Sequence, residues 1–267
     1  MDSAMKRVLH ALPTPVTRKL RFIRDQLAIR TFRSRVAEHS YGGIHLSVQL
    51  ADSMSARWYD HDWPELPEIK FLKTKRLREG AIVFDLGAHQ AVVALTLAKI
   101  VGPLGWVLAV EGSQRNFELA MVNKRLNKVD NLEMLHAVVD SGGGSPVSFS
   151  DEINGSVCAS GSPMASCSID ALALEHGIPD VVMVDVEGYE CCVLAGATQT
   201  LMADADWCIE VHAGCGLETF GGSADEVVQT FRNGGYSLYY YVDERDWVRA
   251  LSSEVPDGRF FLIATRN

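Results

Sequence analysis

Apolar residues in this chain fall into two rhythms, short unbroken runs and stretches that repeat every three or four positions, and the two alternate through most of its length. Residues 81–84 (AIVF) form a run of strand length that ends in Asp85-Leu86-Gly87. Residues 88–101 then contain almost no breakers, with Val92, Leu95, Thr96 and Lys99 at helical spacing, and Gly102-Pro103 closes that helix. Residues 106–110 are a second apolar run, capped by Glu111. This strand–helix–strand unit places Asp85, Gly87 and Glu111 at one mouth, because ligands of parallel sheets lie beyond the carboxyl ends of the strands.

The rest of the chain follows the same rhythm. Ser113 caps a helix over 113–127 with Phe117 and Met121 inward, and 131–139 is a third strand ending in Asp140. Residues 141–163 are a long Gly/Ser loop with a short hairpin at 147–149, and 168–170 open a short helix. Strands follow at 181–186 and 207–211 around a helix over 189–202. A helix over 223–233 with Val227, Val228 and Phe231 inward, a strand over 236–242 and a last strand over 260–265 finish the pattern.

Upstream, 16–38 reads as a basic helix with Val16, Leu20, Ile23 and Leu27 on one stripe, and Gly42-Gly43 breaks the chain before the alternating strand 44–50. Residues 53–68 are aromatic and acidic, with Trp58 and Trp63 available to a substrate or to packing, and 69–79 is a second basic helix. The expected division is an N-terminal arm and substrate-side segment over 1–68 and one α/β domain over 69–267.

The chemistry of the first mouth narrows the ligand. A dinucleotide turn wants G-x-G-x-x-G so that a pyrophosphate meets backbone amides, and that pattern is absent here. A nicotinamide oxidoreductase is therefore a distant reading. An acid before the first glycine repels a pyrophosphate but suits a cationic ligand such as S-adenosylmethionine, with its ammonium and sulfonium. Glu111 can accept two hydrogen bonds from a ribose diol.

The words REGAIVFDLGAH, KIVGPLGWVLAVEGSQRNFELAMVNKRLNKVDN, HAVVD, CSIDAL and VMVDVEGYECCVLAGATQTL, spread over 78–201, resemble the FkbM family of S-adenosylmethionine-dependent methyltransferases. The resemblance implies a Rossmann-like class I methyltransferase fold, a mostly parallel seven-stranded sheet with helices on both faces and an antiparallel final strand. It assigns the cofactor to Asp85, Gly87, Ala88, His89, Glu111, Gly112, Ser113, Asn116, Ala137 and Asp185, with Ala137 near adenine. Two departures stand out. The family's turn is similar to D-x-G-A-N-x-G, and here His89 and Ala91 replace its Asn and last Gly. Met183 stands where the family has Lys before D-x-E-G. Ala91 is expected inside the helix, where alanine is favoured.

Asp185, Glu187 and His212 stand at neighbouring strand tips, with Asp185 and Glu187 sharing a face of an ideal strand. His212 is the natural base for a hydroxyl acceptor, with Glu187 or Asp185 orienting it or the substrate. Its apparent pKa is expected near 6.5, moved by the acids around it. A divalent metal on these three residues is the lesser reading, because the pattern is not diagnostic, and no metal is assigned. The favoured activity is O-methylation of a small-molecule hydroxyl, on a sugar or polyketide-type compound. The competing class is a non-catalytic binding or assembly protein with a degraded cofactor turn.

Charge and cysteine usage set the remaining limits. The net charge of -9 argues against a nucleic-acid partner, but residues 1–40 carry nine Lys/Arg against three Asp/Glu, leaving -15 for the remainder. The basic N-terminal helix thus allows peripheral membrane contact or packing on a sister subunit in a homo-oligomer. No run reaches transmembrane length. Six cysteines without C-x-x-C spacing point to a reducing, cytoplasmic setting and to thiols used as small apolar groups.

Overall fold

The computed structural model describes residues 32–142, 146–150, 156–158, 161–243 and 247–266. It opens with an antiparallel hairpin, β1 (Arg35–Tyr41) and β2 (Ile44–Leu50), joined by Gly42-Gly43, both at positive φ as a two-residue hairpin loop requires. Helices α1 (Ser53–Tyr59) and α2 (Pro67–Leu72) follow. The first is closed by a reciprocal cap between Asp52 and Ser55. Then come β3 (Ile82–Leu86), α3 (Val92–Val101), β4 (Trp106–Glu111), α4 (Gln114–Asn127) and β5 (Leu132–His136). Five short strands build the next stretch: β6 (Val138–Val139), β7 (Val147–Ser150), β8 (Ser156–Val157), β9 (Ser162–Met164) and β10 (Ser166–Cys167). Helix α5 (Ile169–His176), β11 (Val181–Val184), α6 (Glu190–Ala195), β12 (Asp206–Val211), α7 (Ala224–Asn233), β13 (Ser237–Tyr241), β14 (Arg249–Ala250) and β15 (Phe260–Thr265) complete the chain.

The central sheet has the order β14-β13-β15-β12-β11-β3-β4-β5. Strands β12, β11, β3, β4 and β5 run parallel, and β15 is antiparallel between β12 and β13. The expected seven strands are therefore joined by an eighth, the two-residue edge strand β14. The chain leaves β3 toward β4 on one side and returns to β11 on the other, so the order reverses beside β3 and opens a crevice at its carboxyl end. Side chains alternate between two buried layers. Val83, Ala109, Met183 and Cys208 face the layer that holds α3 and the hairpin residues Leu46, Val48 and Leu50. Phe84, Leu108, Val182 and Trp207 face the layer with Val193 and Phe231. Continuous apolar runs are what a sheet covered on both faces demands.

The hairpin is tied to the β4 and β5 side of the sheet by two asparagines of α4. The backbone N–H groups of Ser47 and Gln49 donate to Asn127 Oδ1 and Asn123 Oδ1 at 2.9 and 2.7 Å, which satisfies the outer edge of β2. Asn123 also donates to the carbonyl of Gln90, so the hairpin, α4 and the turn after β3 brace one another.

Several expectations change in the structure. Of the basic helix over 16–38, residues 16–31 lie outside the described residues and Arg35 to Glu38 belong to β1, where β2 supplies their backbone partners. The strand over 131–139 breaks at Ala137, because β6 leaves β4 to pair with β10. The helix over 69–79 shortens to α2, and that over 189–202 stops at Ala195, ahead of Gly196. Ala91 is not helical: it is the N-cap of α3 at φ 62°, ψ 25°. The chain turns there because Ala91 N–H donates to the Ala88 carbonyl at 2.8 Å before the helix begins. All six cysteines are free thiols, and no helix among the described residues is long and apolar enough to cross a membrane.

Candidate active site at the strand tips

The first half of the site is the turn after β3. Gly87 sits at φ 91°, and a Cβ there would lie 1.7 Å from the Asp185 carbonyl oxygen, so only glycine lets β3 and β11 close together. Gly87 and Ala88 both donate backbone N–H to the Val110 carbonyl, at 2.9 and 3.0 Å. Glu111, 5 % exposed at the tip of β4, then fixes the turn from below: Oε2 accepts from His89 N–H and Oε1 from Ser113 N–H, both at 2.7 Å. Ser113 Oγ accepts from Asn116 N–H at 3.2 Å and starts α4.

Two side chains in this turn carry unspent polarity. Asp85 is buried on β3, and burial pushes its carboxyl up to about 7; its Oδ2 has no hydrogen-bond partner. His89, also at positive φ, meets Tyr59 Oη at 2.6 Å through Nδ1 and packs edge-on against Trp58. Desolvation holds His89 down at about 4, so the ring is neutral at pH 7. The phenol therefore donates to Nδ1, and the ring proton sits on Nε2, which is buried without a partner.

A solvent-open cleft lies over this turn. Gly87, His89, Glu111, Gly112, Ala137 and Asp185 all border it. Asp85 lies at the same strand tip, while Ala88, Ser113 and Asn116 stand behind the lining; Asn116 is fully buried in the first turn of α4. Val138 and Phe149 add an apolar wall that composition alone did not mark. The Phe149 ring lies so close to Gly112 that a Cβ there would come within 2.7 Å of it.

The second half is built at the ends of β11 and β12. Asp185 and Glu187 do not share a strand face, since β11 ends at Val184 and Glu187 takes φ 51°. Glycine at 188, φ 101°, then brings the chain against Gly216, leaving no room for a Cβ. This bend still points both carboxylates at one imidazole. His212, 4 % exposed, donates from Nδ1–H to Glu190 Oε1 at 2.7 Å. Its Nε2 faces Glu187 Oε2 and Glu210 Oε1 at 3.5 Å and Asp185 Oδ1 at 3.8 Å. Burial lowers the proton affinity of His212, but the Glu190 bond and the carboxylates of Asp185, Glu190 and Glu210 outweigh it and hold the ring up at about 9. That is well above the value expected from sequence. Desolvation at the strand tips and then Glu210, Glu187 and Glu190 raise Asp185, although half of its side-chain surface opens to the cleft. Glu190 escaped the sequence reading because it sits one turn past the D-V-E-G word, inside a helix; its signal was the third acid of D-V-E-G-Y-E.

The cleft's own atoms suit S-adenosylmethionine. An orphaned carboxylate oxygen on Asp85, a glycine cradle at Gly87 and an acid at the tip of β4 fit an ammonium, a close-lying chain and a ribose. Residues 85–238 match the model of the methyltransferase FkbM domain. No curated protein matches the chain. Among solved structures, an FkbM methyltransferase from Methylobacillus flagellatus KT is 12 % identical, with a TM-score of 0.46 over 68 % of this chain and 43 % of that one. An S-adenosylmethionine-dependent O-methyltransferase from Thermotoga maritima is 13 % identical, with a TM-score of 0.47 over 87 % of this chain and 77 % of that one. The precorrin-6y C5,15-methyltransferase of Geobacter metallireducens GS-15 is 12 % identical, with a TM-score of 0.46 over 75 % and 88 %.

Proposed function

Because the chain belongs to the FkbM methyltransferase family, with S-adenosylmethionine as its cofactor, we propose that its cleft methylates a hydroxyl oxygen of a small molecule such as a sugar or polyketide. The observation that carries the proposal is His212, pinned by Glu190 and aimed between Asp185 and Glu187 in the bend that follows β11, the strand paired with β3. S-adenosylmethionine would supply an electrophilic methyl carbon, its sulfur keeping the electron pair of the broken carbon–sulfur bond and leaving as the thioether S-adenosylhomocysteine. The chain's own groups do the rest.

Asp85 offers its carboxylate to the cofactor's ammonium, and His89 Nε2–H offers a donor to its carboxylate. Glu111 receives the ribose, and Ala137, Val138 and Phe149 take the adenine. Gly87, Ala88, Gly112, Ser113, Asn116 and Asp185 shape or brace that half of the cleft. Asp185 and Glu187, half exposed toward the opening, orient the acceptor, and Trp58 walls its mouth. In the ion-free protein, only the neutral form of His212 can take the hydroxyl proton on Nε2, and because the ring is held up at about 9, turnover should grow as pH rises toward that value; general-base help of this kind is worth about 10²–10⁴-fold. Alignment contributes more, up to about 7–11 kcal/mol in well-oriented systems.

Labelled methyl from S-adenosylmethionine, offered with hydroxyl, amine and carbon acceptors, tests the reading. Label on a hydroxyl acceptor supports it. Saturable cofactor binding without transfer to any acceptor would favour the non-catalytic binding protein instead. Residues 1–68 are proposed as an N-terminal arm and substrate-side segment, whose basic stretch allows peripheral membrane contact or packing in a homo-oligomer.

A further inference from the structure

The His212 cluster has more order than a proton acceptor needs. Its imidazole cannot swing, because buried Glu190 bonds Nδ1 at 2.7 Å and is itself held by Gly188 N–H at 2.9 Å. Nε2 is then the ring nitrogen that faces Asp185 and Glu187, both of which border the cleft. The oxygens around it stand at 3.5–3.8 Å, longer than good hydrogen bonds. Asp185, Glu187 and His212 each offer one donor atom within 4.8 Å of the other two. Donors about 2.1 Å from a tetrahedral ion lie about 3.4 Å apart, close to the 3.5 and 3.8 Å from His212 Nε2 to Glu187 and Asp185. Four carboxylates surround this one ring, and Arg259 answers Glu210, at 2.6 Å.

We infer that Asp185, Glu187 and His212 form a site for one divalent transition-metal cation on the acceptor side of the cleft, with Glu190 as the buried carboxylate that orients His212. A carboxylate behind a ligating imidazole fixes its tautomer and raises its basicity. One nitrogen and two carboxylate donors select ions from Mn²⁺ to Zn²⁺ over Ca²⁺ or Mg²⁺, which prefer oxygen. Glu210 stays a neighbour, because Arg259 occupies it. The inference rests on the proposed acceptor position. With the ion bound, Nε2 is a ligand and no longer the base. An ion held by Asp185, Glu187 and His212 would lower the pKa of an acceptor hydroxyl, so that its proton could pass to solvent with the electron pair left on oxygen.

The test uses the full chain stripped with a chelator and titrated with Mn²⁺, a probe hard enough to ignore the six thiols. Bound ion is read from the loss of the free Mn²⁺ electron paramagnetic resonance signal, and folding from thermal melting. One saturable site per chain is expected, weakened at least tenfold in Glu187→Gln and His212→Ala and about 10–100-fold in Glu190→Gln. Because Glu187 is half exposed, Glu187→Gln keeps its melting temperature in the ion-free state, which covers the case in which His212→Ala fails to fold. Absence of saturable binding by Mn²⁺, Co²⁺ and Zn²⁺, or binding untouched by Glu187→Gln in folded protein, overturns the site. Methyl transfer that survives the chelator unchanged would also overturn it while leaving the hydroxyl methyltransferase standing. Transfer that fails in both ion-free and Mn²⁺-loaded protein, with the Mn²⁺ site present, sinks the methyltransferase reading and keeps the site.

Discussion

Replacing Asp85 by Asn should make the protein more stable and its cofactor binding worse. Asp85 is 6 % exposed, lacks a partner for Oδ2, and is pushed up to about 7 from 3.8 by burial. The folded state thus holds this proton more tightly than the unfolded chain does. Between about pH 4 and 7 the native protein keeps a proton that the unfolded chain has lost, so stability falls as pH rises through that window and levels off above it. At about 1.36 kcal/mol for each tenfold change in proton affinity, the rise from 3.8 to about 7 costs about 4 kcal/mol at pH 8 and nearly nothing at pH 4. Asn keeps the shape and carries no charge, so it should recover most of that energy at pH 8. Urea unfolding of both proteins at pH 4.5 and 8 reads the difference directly. Calorimetry with S-adenosylmethionine reads the other side: wild-type affinity should strengthen as pH passes 7, whereas Asp85→Asn should bind at least tenfold more weakly at pH 8 and show a flat profile. A stability gap that does not widen with pH, or equal affinities at pH 8, would refute the assignment of Asp85 as a charge kept for the cofactor.

Other substitutions separate the two halves of the cleft. Glu111→Ala removes ribose bonds worth about 1.5–3 kcal/mol each, and also frees the N–H groups of His89 and Ser113, so affinity and melting temperature should fall together in calorimetry and melting scans. Ala91→Gly relieves a left-handed alanine by about 1 kcal/mol but gives up a buried methyl worth about 0.8 kcal/mol; unfolding should show a net change under about 1 kcal/mol, and a tenfold gain in cofactor affinity would revive the idea of a degraded turn. Phe149→Ala should weaken cofactor binding by about 1–3 kcal/mol if the ring stacks on adenine, measured against adenosine as a competing ligand.

The fold was legible where a residue's neighbours in sequence decide its structure. The runs that became β3, β4, β11 and β12 carry their burial in their apolar continuity, and the acids that end them mark the crevice. Ala91 was not legible, because alanine's local preference is helical and its left-handed turn is imposed by the close approach of β3, β4 and β11 around Gly87. Residues 35–38 misled for a similar reason: their basic pattern suits a helix, but pairing with β2 overrides it. At the site, Asp185, Glu187 and His212 were readable as strand-tip residues, yet their convergence depends on Glu187 turning to φ 51°. Glu190 and Phe149 reach the site through helix and hairpin packing, which no spacing in the sequence announces.

The most direct test is titration of S-adenosylmethionine into wild-type, Glu111→Ala and His212→Ala protein in one calorimetric series, with turnover on a methylatable hydroxyl acceptor followed on the same samples. Wild type should bind one cofactor per chain. Glu111→Ala should bind at least tenfold more weakly. His212→Ala should bind nearly as wild type yet turn over about 10²–10⁴-fold more slowly. Wild-type protein that does not bind, or a folded His212→Ala protein with full turnover, would contradict the division of the cleft into a cofactor half at β3 and β4 and an acceptor half at β11 and β12.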